Sequence, residues 1–154
     1  MNKNLEDITG LIVEDQIGMR RIIRTVLQSL GIGHLVEAAD GAEGLHQLRE
    51  RNRGWAHEAT AEFTSVAEIL RPIDFVICDW AMPNMTGMEL LAAVRNDPNL
   101  MNLPFVMLTA ENSKEQIVEA LKHGVTDYII KPFTTNLLEG KLKSILIEKF
   151  QVRF

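Results

Sequence analysis

Short apolar runs alternate along most of the chain with segments whose apolar residues recur at helical spacing. Residues 8–13 are mostly apolar and run directly into two acids, Glu14 and Asp15. Across residues 16–30 the apolar positions return every three or four residues, which is the spacing of one buried helix face. Gly31 follows as a helix-ending residue. A strand and then an amphipathic helix are therefore predicted for the start of the chain.

The same order of strand and helix repeats along the chain. Residues 34–39 are predicted as a weaker strand, and Asp40 with Glu43 three positions later is typical of a helix start. The later strands are predicted at residues 75–79, 104–108 and 128–130, and the later helices around Leu91, Ile117 and Leu142. Parallel strands need crossovers, which are usually helical. Five strands alternating with five helices predict an α/β fold with one parallel sheet covered on both faces.

One segment, residues 51–72, is longer than this rhythm requires. A helix end, a short loop and a strand need only about a dozen residues between Leu48 and Asp79. The extra residues carry an apolar stripe at helical spacing that includes Trp55 and Phe63. We expect either an additional helix or a long extension of the second helix here. The stripe packs on the domain, or it offers Trp55 and Phe63 to a partner or a second copy of the chain.

Composition and charge narrow the class of protein. The 154 residues fit one domain, residues 1–154, and no output domain is predicted after the last helix. The net charge of −5, with 16 Lys and Arg spread along the chain, does not favour nucleic acid as a partner. No apolar run is long enough for a membrane span, and the N-terminal residues carry acids where a signal peptide needs a basic segment. We expect a cytoplasmic protein whose single cysteine, Cys78, lies in the core.

Polar residues follow four of the predicted strands, and ligands of open parallel sheets bind beyond the carboxyl ends of the strands. The residues gathered there are Glu14, Asp15, Asp79, Thr109 and Lys131. Three clustered carboxylates repel one another unless a cation is present, and oxygen ligands of this kind favour Mg²⁺. One carboxylate can then act as a nucleophile toward phosphorus. Thr109 and Lys131 can stabilise the charge of a transferred phosphoryl group.

Four motifs of the chain resemble the receiver domain of bacterial response regulators, especially its single-domain chemotaxis members: LIVED, FVICDWAMPNMTG, VMLTAE and DYIIKPF. The resemblance covers nearly the whole chain except residues 51–72. It implies a flavodoxin-like sheet of five strands in the order 2-1-3-4-5. It also implies that Asp79 accepts a phosphoryl group from a histidine kinase and that the phosphorylated form switches binding to a downstream protein, with the flagellar motor switch as one candidate.

The resemblance also implies roles for the neighbouring residues. The Mg²⁺ ligands that it implies are Glu14, Asp15, Asp79 and the backbone carbonyl of Ala81. Thr109 and Lys131 would contact the phosphoryl group. Tyr128 corresponds to an aromatic switch that turns inward when Thr109 moves, and ordinary packing on an edge strand is the alternative. The partner-binding face that it implies includes Lys114, Ile117, Tyr128 and Lys141, and ordinary solvated helix surface is the alternative there.

Ala81 departs from the chemotaxis members of the family, which carry a polar side chain two positions after the acceptor. We expect slow self-dephosphorylation, because a water that attacks the aspartyl phosphate is less well positioned. The same alanine counts against an aspartyl-nucleophile phosphohydrolase, a class that commonly has a second Asp at this place. A flavin carrier is disfavoured because Glu14 and Asp15 would repel a flavin phosphate. A phosphate sink and a phosphorelay intermediate stay open as alternatives, and the oligomeric state is not predicted.

Overall fold

A computed structural model describes residues 2–53, 70–110 and 114–154. The helix predicted within the insertion, with Trp55 and Phe63, lies outside these residues. The strands are β1 (Thr9–Val13), β2 (His34–Ala38), β3 (Phe75–Asp79), β4 (Phe105–Ala110) and β5 (Asp127–Lys131). The α-helices of the described residues are α1 (Ile17–Ser29), α2 (Gly41–Arg51), α3 (Gly87–Arg95), α4 (Lys114–Lys122) and α5 (Thr135–Phe150). Among these helices, none is both long and apolar enough to span a bilayer.

The five strands form one parallel sheet in the order β2-β1-β3-β4-β5. The predicted α/β class and the strand order implied by the resemblance are confirmed. Strand β1 pairs with β2 on one side and with β3, which comes later in the chain, on the other side. A crevice opens at such a reversal of strand order, beyond the carboxyl ends of β1 and β3. This crevice is where Glu14 and Asp79 lie.

Two apolar layers cover the sheet, one on each face. Successive residues of a strand point to opposite faces, so Ile12 packs into one layer and Leu11 into the other. Helices α1 and α5 complete the first layer, and α2, α3 and α4 complete the second. Because β3 is buried on both faces, its apolar run is continuous instead of alternating. Cys78 is fully buried within that run, as predicted.

The strands extend beyond the predicted apolar runs at their polar ends. β4 continues to Ala110, and β5 includes Asp127 and Lys131 on either side of the predicted residues 128–130. The ladder joins main-chain groups, so pairing continues after the apolar side chains stop. As a result, Thr109 and Lys131 lie on paired strands and have well-defined backbone positions.

Asn52 closes the base of the insertion. Its side-chain amide donates to the carbonyl of Ile73 at 2.9 Å, and its Oδ1 accepts from the Ile73 N–H at 3.0 Å. Ile73 is buried, and β3 begins shortly after it. The two hydrogen bonds therefore tie the end of α2 to the segment that leads into β3.

We expect Asn52→Ala to lower the free energy of unfolding by about 1–3 kcal/mol, because it removes the partner of two main-chain groups of a buried residue. Urea unfolding followed by circular dichroism measures the change. Asn96→Ala is the matched control, since Asn96 is exposed and donates one bond to the carbonyl of Ala92. A loss for Asn52→Ala no larger than that for the control would contradict this role of Asn52.

Candidate functional site

The carboxyl ends of four strands meet at one edge of the sheet. Glu14 and Asp15 follow β1 directly, and Asp79 is the last residue of β3. Thr109 follows Leu108, which is paired with Asp79, and Lys131 ends β5. The strand-end residues that the sequence predicted to share a cleft therefore lie at the same edge of the sheet.

Three carboxylates form the centre of this cleft. Glu14, Asp15 and Asp79 each place one oxygen within 4.8 Å of the other two. Glu14 is fully buried, Asp79 is 7% exposed and Asp15 is exposed to solvent. Two of the three acids are thus held in a poorly solvated place, where unscreened like charges are costly.

Lys131 supplies the positive charge nearest to these acids among the described ion pairs. Its Nζ lies 3.0 Å from Asp79 Oδ1 and 3.6 Å from Glu14 Oε2. The Lys131 side chain is partly buried, so its attraction for the two carboxylates is weakly screened. One ammonium group cannot neutralise three carboxylates, and a net negative charge stays in the cleft.

Glu14 responds to this charge by holding its proton more tightly. Burial and the nearby charge of Asp79 raise the pKa of the Glu14 carboxyl from 4.5 to about 7, against the opposing effect of Lys131. Its Oε1 accepts a 3.3 Å hydrogen bond from the N–H of Gln16. Within the described residues its Oε2 accepts no hydrogen bond, although it is buried.

The donor set fits a hard divalent cation. All three side chains offer carboxylate oxygens, and the buried Glu14 Oε2 is an acceptor that lacks a donor in the described part of the chain. A cation with a preference for oxygen would satisfy this atom and relieve the repulsion among the acids. The exposed position of Asp15 leaves one side of the cluster open to water. The acidic cluster is therefore suited to Mg²⁺ with part of its hydration shell.

The loop after β3 is fixed by contacts that the sequence did not reveal. Asn84 has a left-handed backbone with φ of 67°, and its amide donates to Asp40 Oδ2 at 2.7 Å. Asp40 also caps α2 by accepting from the N–H of Glu43, and these hydrogen bonds lower the pKa of Asp40. At Gly87 an added Cβ would come 2.3 Å from the carbonyl oxygen of Asp79. Only glycine fits this close approach of the loop to the acceptor strand.

Ala81 is exposed on this loop, two positions after Asp79. Its methyl group offers no hydrogen-bonding atom to a water near the Asp79 carboxylate.

The Asp40–Asn84 pair joins residues 44 positions apart, and no periodicity or motif signals such a contact. Only the cap formed by Asp40 and Glu43 was visible in the sequence, and it is confirmed.

Thr109 and Tyr128 are the two predicted switch residues. Thr109 is 2% exposed, and its hydroxyl donates to Gln116 Oε1 in α4 at 3.0 Å. Tyr128 is half-buried and packs against the apolar layer to which α4 contributes Ala120. The link to Gln116 was not predicted, and the helical pattern of α4 gave no signal for it because Gln116 belongs to neither an apolar stripe nor a known motif.

The predicted partner-binding residues have different surroundings. Lys114 is exposed and Ile117 is half-buried, both in α4. Lys141 Nζ binds both carboxylate oxygens of Asp127, at 3.0 and 3.1 Å, and lies 5.7 Å from the centre of the Tyr128 ring. Lys141 is thus held by contacts within the domain. The insertion residues Trp55 and Phe63 cannot be placed, since they fall outside the described residues.

The profile of the response regulator receiver domain family matches residues 11–143 of the chain. This range includes the last three residues of β1, the whole of β2 to β5 and all five strand-end residues, so the match spans the whole cleft. The chain therefore belongs to the family of response regulator receiver domains.

Two relatives of the chain within this family are chemotaxis proteins. The chemotaxis protein CheY of Pseudomonas aeruginosa is 41% identical over 135 residues, which are 88% of this chain and 93% of that protein. The chemotaxis protein CheY-3 of Vibrio cholerae is 39% identical over 145 residues, which are 94% of each chain. The chain is a receiver domain homologous to these proteins along most of its length.

Solved structures agree with the family assignment. Chemotaxis response regulator CheY4 of Vibrio cholerae is 32% identical, with a TM-score of 0.69, and the match covers 90% of this chain and 98% of that chain. A putative response regulator from Chloroflexus aurantiacus is 29% identical, with a TM-score of 0.73, and the match covers 90% and 97% of the two chains. The fold of this chain is therefore that of the solved response regulators.

The raised pKa of Glu14 predicts that Mg²⁺ binding weakens as the pH falls. Below about pH 7 the carboxyl of Glu14 is protonated in the metal-free protein, and this proton must leave before the oxygen can bind a cation. We expect the Mg²⁺ dissociation constant to rise by up to about tenfold per pH unit below about pH 7 and to level off above it. The fluorescence of Trp80, adjacent to Asp79, reports binding in a Trp55→Phe background that leaves it the sole tryptophan.

Glu14→Gln is the control for this titration. Because an amide does not ionise in this range, the variant should bind Mg²⁺ more weakly and with little dependence on pH between about pH 6 and pH 8. A dissociation constant of the unmodified protein that stays constant over the same range would show that Glu14 does not compete with the cation for a proton.

Proposed function

We propose that this receiver domain is a phosphorylation-controlled switch in chemotaxis signalling, in which Asp79 accepts a phosphoryl group from a phosphohistidine of a kinase. The observation that carries this proposal is the cleft itself. A nearly buried Asp79 lies beside two further carboxylates and 3.0 Å from the Lys131 ammonium. The similarity to chemotaxis regulators over most of the chain supports the chemotaxis assignment.

Asp79 is the nucleophile in the proposed transfer. A carboxylate oxygen of Asp79 forms a bond to phosphorus as the P–N bond of the phosphohistidine breaks, and the imidazole nitrogen keeps the electron pair and takes a proton from solvent. Glu14, Asp15, Asp79 and the carbonyl of Ala81 would hold Mg²⁺, which when bound offsets the negative charge of the phosphoryl oxygens. The product is an aspartyl phosphate and a neutral histidine.

Lys131 and Thr109 stabilise the transferred group in this proposal. The Lys131 ammonium contacts Asp79 Oδ1 before transfer and is close enough to bind a phosphoryl oxygen afterwards. The Thr109 hydroxyl, at the end of the neighbouring strand, donates to another phosphoryl oxygen once it turns toward the cleft. Both residues therefore act on the same developing charge from different strands.

The output of the switch is binding to a downstream protein. Lys114, Ile117, Tyr128 and Lys141 are proposed to form the binding face, with the flagellar motor switch as the candidate target. Tyr128 lies on β5, two positions before Ile130, which is paired with Thr109, so a movement of Thr109 is proposed to reach this face through the paired strands. The ion pair of Lys141 with Asp127 is the contact that a target would have to exchange.

Incubation with acetyl phosphate and Mg²⁺ tests the acceptor. We expect intact-mass analysis to show one phosphoryl adduct that is labile to hydroxylamine, because an acyl phosphate forms only on a carboxylate. The adduct should be absent without Mg²⁺ and absent from Asp79→Asn. Asp7→Asn is the matched control, since Asp7 is exposed and precedes the amino end of β1, at the opposite end of that strand from the cleft, and it should be modified like the unmodified protein. Steady release of inorganic phosphate without an adduct would instead indicate a phosphohydrolase.

Ala81 predicts a long-lived phosphorylated state. We expect Ala81→Asn to accelerate loss of the phosphoryl group by roughly two- to tenfold, because the new amide can hydrogen-bond the attacking water. The decay of the adduct after removal of acetyl phosphate measures this rate. Ala39→Asn, at an exposed site beyond β2, controls for the substitution itself. An unchanged decay in Ala81→Asn would show that position 81 does not set the lifetime.

A further inference from the structure

The buried hydroxyl of Thr109 is already engaged before any phosphoryl group arrives. It donates to Gln116 Oε1 at 3.0 Å, and Gln116 lies in the first turn of α4. A threonine hydroxyl has one proton and can donate one strong hydrogen bond at a time. In the proposed function this same proton is needed by a phosphoryl oxygen. The bond to Gln116 must therefore break when Asp79 is phosphorylated.

Helix α4 is loosely attached to the domain, which makes this one bond important. Its nine residues include a single buried residue, Ala120, and it exposes Val118 and Leu121. Helix α3, also nine residues long, buries five residues and begins with a complete capping box. A helix with few buried contacts shifts at low cost, so a hydrogen bond at its first turn is a large share of what holds it.

We propose that Gln116 is a positioning residue that latches the unphosphorylated state. Its amide oxygen holds the Thr109 hydroxyl away from the cleft and, through the same bond, holds the first turn of α4 against the end of β4. Phosphorylation exchanges this acceptor for a phosphoryl oxygen and releases the turn. Lys114 and Ile117 lie on that turn, so the latch couples the cleft to the proposed binding face. This inference rests on the proposed function.

Gln116→Met tests the latch, because it keeps the length and approximate volume of the side chain and removes the acceptor. Without the competing bond, phosphorylation by acetyl phosphate should proceed roughly two- to tenfold faster. The amide hydrogens of α4 in the unphosphorylated protein should exchange faster by a similar factor, while those of β1 and β3 stay unchanged. Gln28→Met is the matched control, the same substitution at an exposed position of α1, and should change neither quantity.

A Thr109→Val background shows whether Gln116 acts through the hydroxyl. Valine has no proton to donate, so Gln116→Met should have no further effect there on the rate of phosphorylation or on exchange in α4. Equal phosphorylation rates in the unmodified protein and Gln116→Met would overturn the latch and leave Asp79 as the acceptor. So would an effect of Gln116→Met that persists beside Thr109→Val. Absence of an adduct from the unmodified protein would instead overturn the proposed function, and the latch with it.

Discussion

Repulsion among the carboxylates of Glu14, Asp15 and Asp79 is the constraint on which the cleft depends. The protein keeps two of them nearly buried and within 4.8 Å of each other, where water can do little to screen their charge. Three agents can offset that charge: the Lys131 ammonium, a proton on Glu14 and a bound divalent cation. The proton and the cation can exchange with the solvent, and the Lys131 side chain can move. The charge state of the cleft can therefore change, which the proposed addition of a phosphoryl group would require.

The sheet is what forces the acids together. Parallel strands deliver the residues after them to one edge, and the reversal of strand order places β1 beside β3, so that Glu14 and Asp79 face one crevice. The buried layers on both faces of the sheet hold this arrangement against the repulsion. Their apolar burial involves many more residues than the few acids at the edge, so the fold can tolerate an unfavourable cluster there. The fold likewise tolerates two unfavourable features in the adjoining loop, the left-handed backbone of Asn84 and the close approach of Gly87 to its neighbours.

The fold class and the strand-end acids could be predicted because both leave a local signal in the sequence, an apolar run that is followed by a polar residue. Contacts between side chains far apart in sequence could not. Asp40 with Asn84 and Asn52 with Ile73 depend on how two separate elements approach each other, and this approach leaves no periodic trace. The bond between Thr109 and Gln116 is nearer in sequence but depends on one side-chain rotamer. The insertion was predicted from the excess spacing between Leu48 and Asp79, and the role of its apolar stripe stays a prediction.

The unequal anchoring of α3 and α4 gives the proposed signal a way to leave the cleft without disturbing the sheet. The free-energy cost of displacing a helix grows with the apolar surface that it exposes, and this cost is far greater for α3 than for α4. The residues of β4 up to Thr109 are buried, and Val106, Met107 and Leu108 are paired with both neighbouring strands, so the strand provides a fixed reference. In the proposed switch, strain introduced at Thr109 is therefore relieved most cheaply by movement of α4. The direction of the proposed signalling follows from this difference in packing, before any partner is considered.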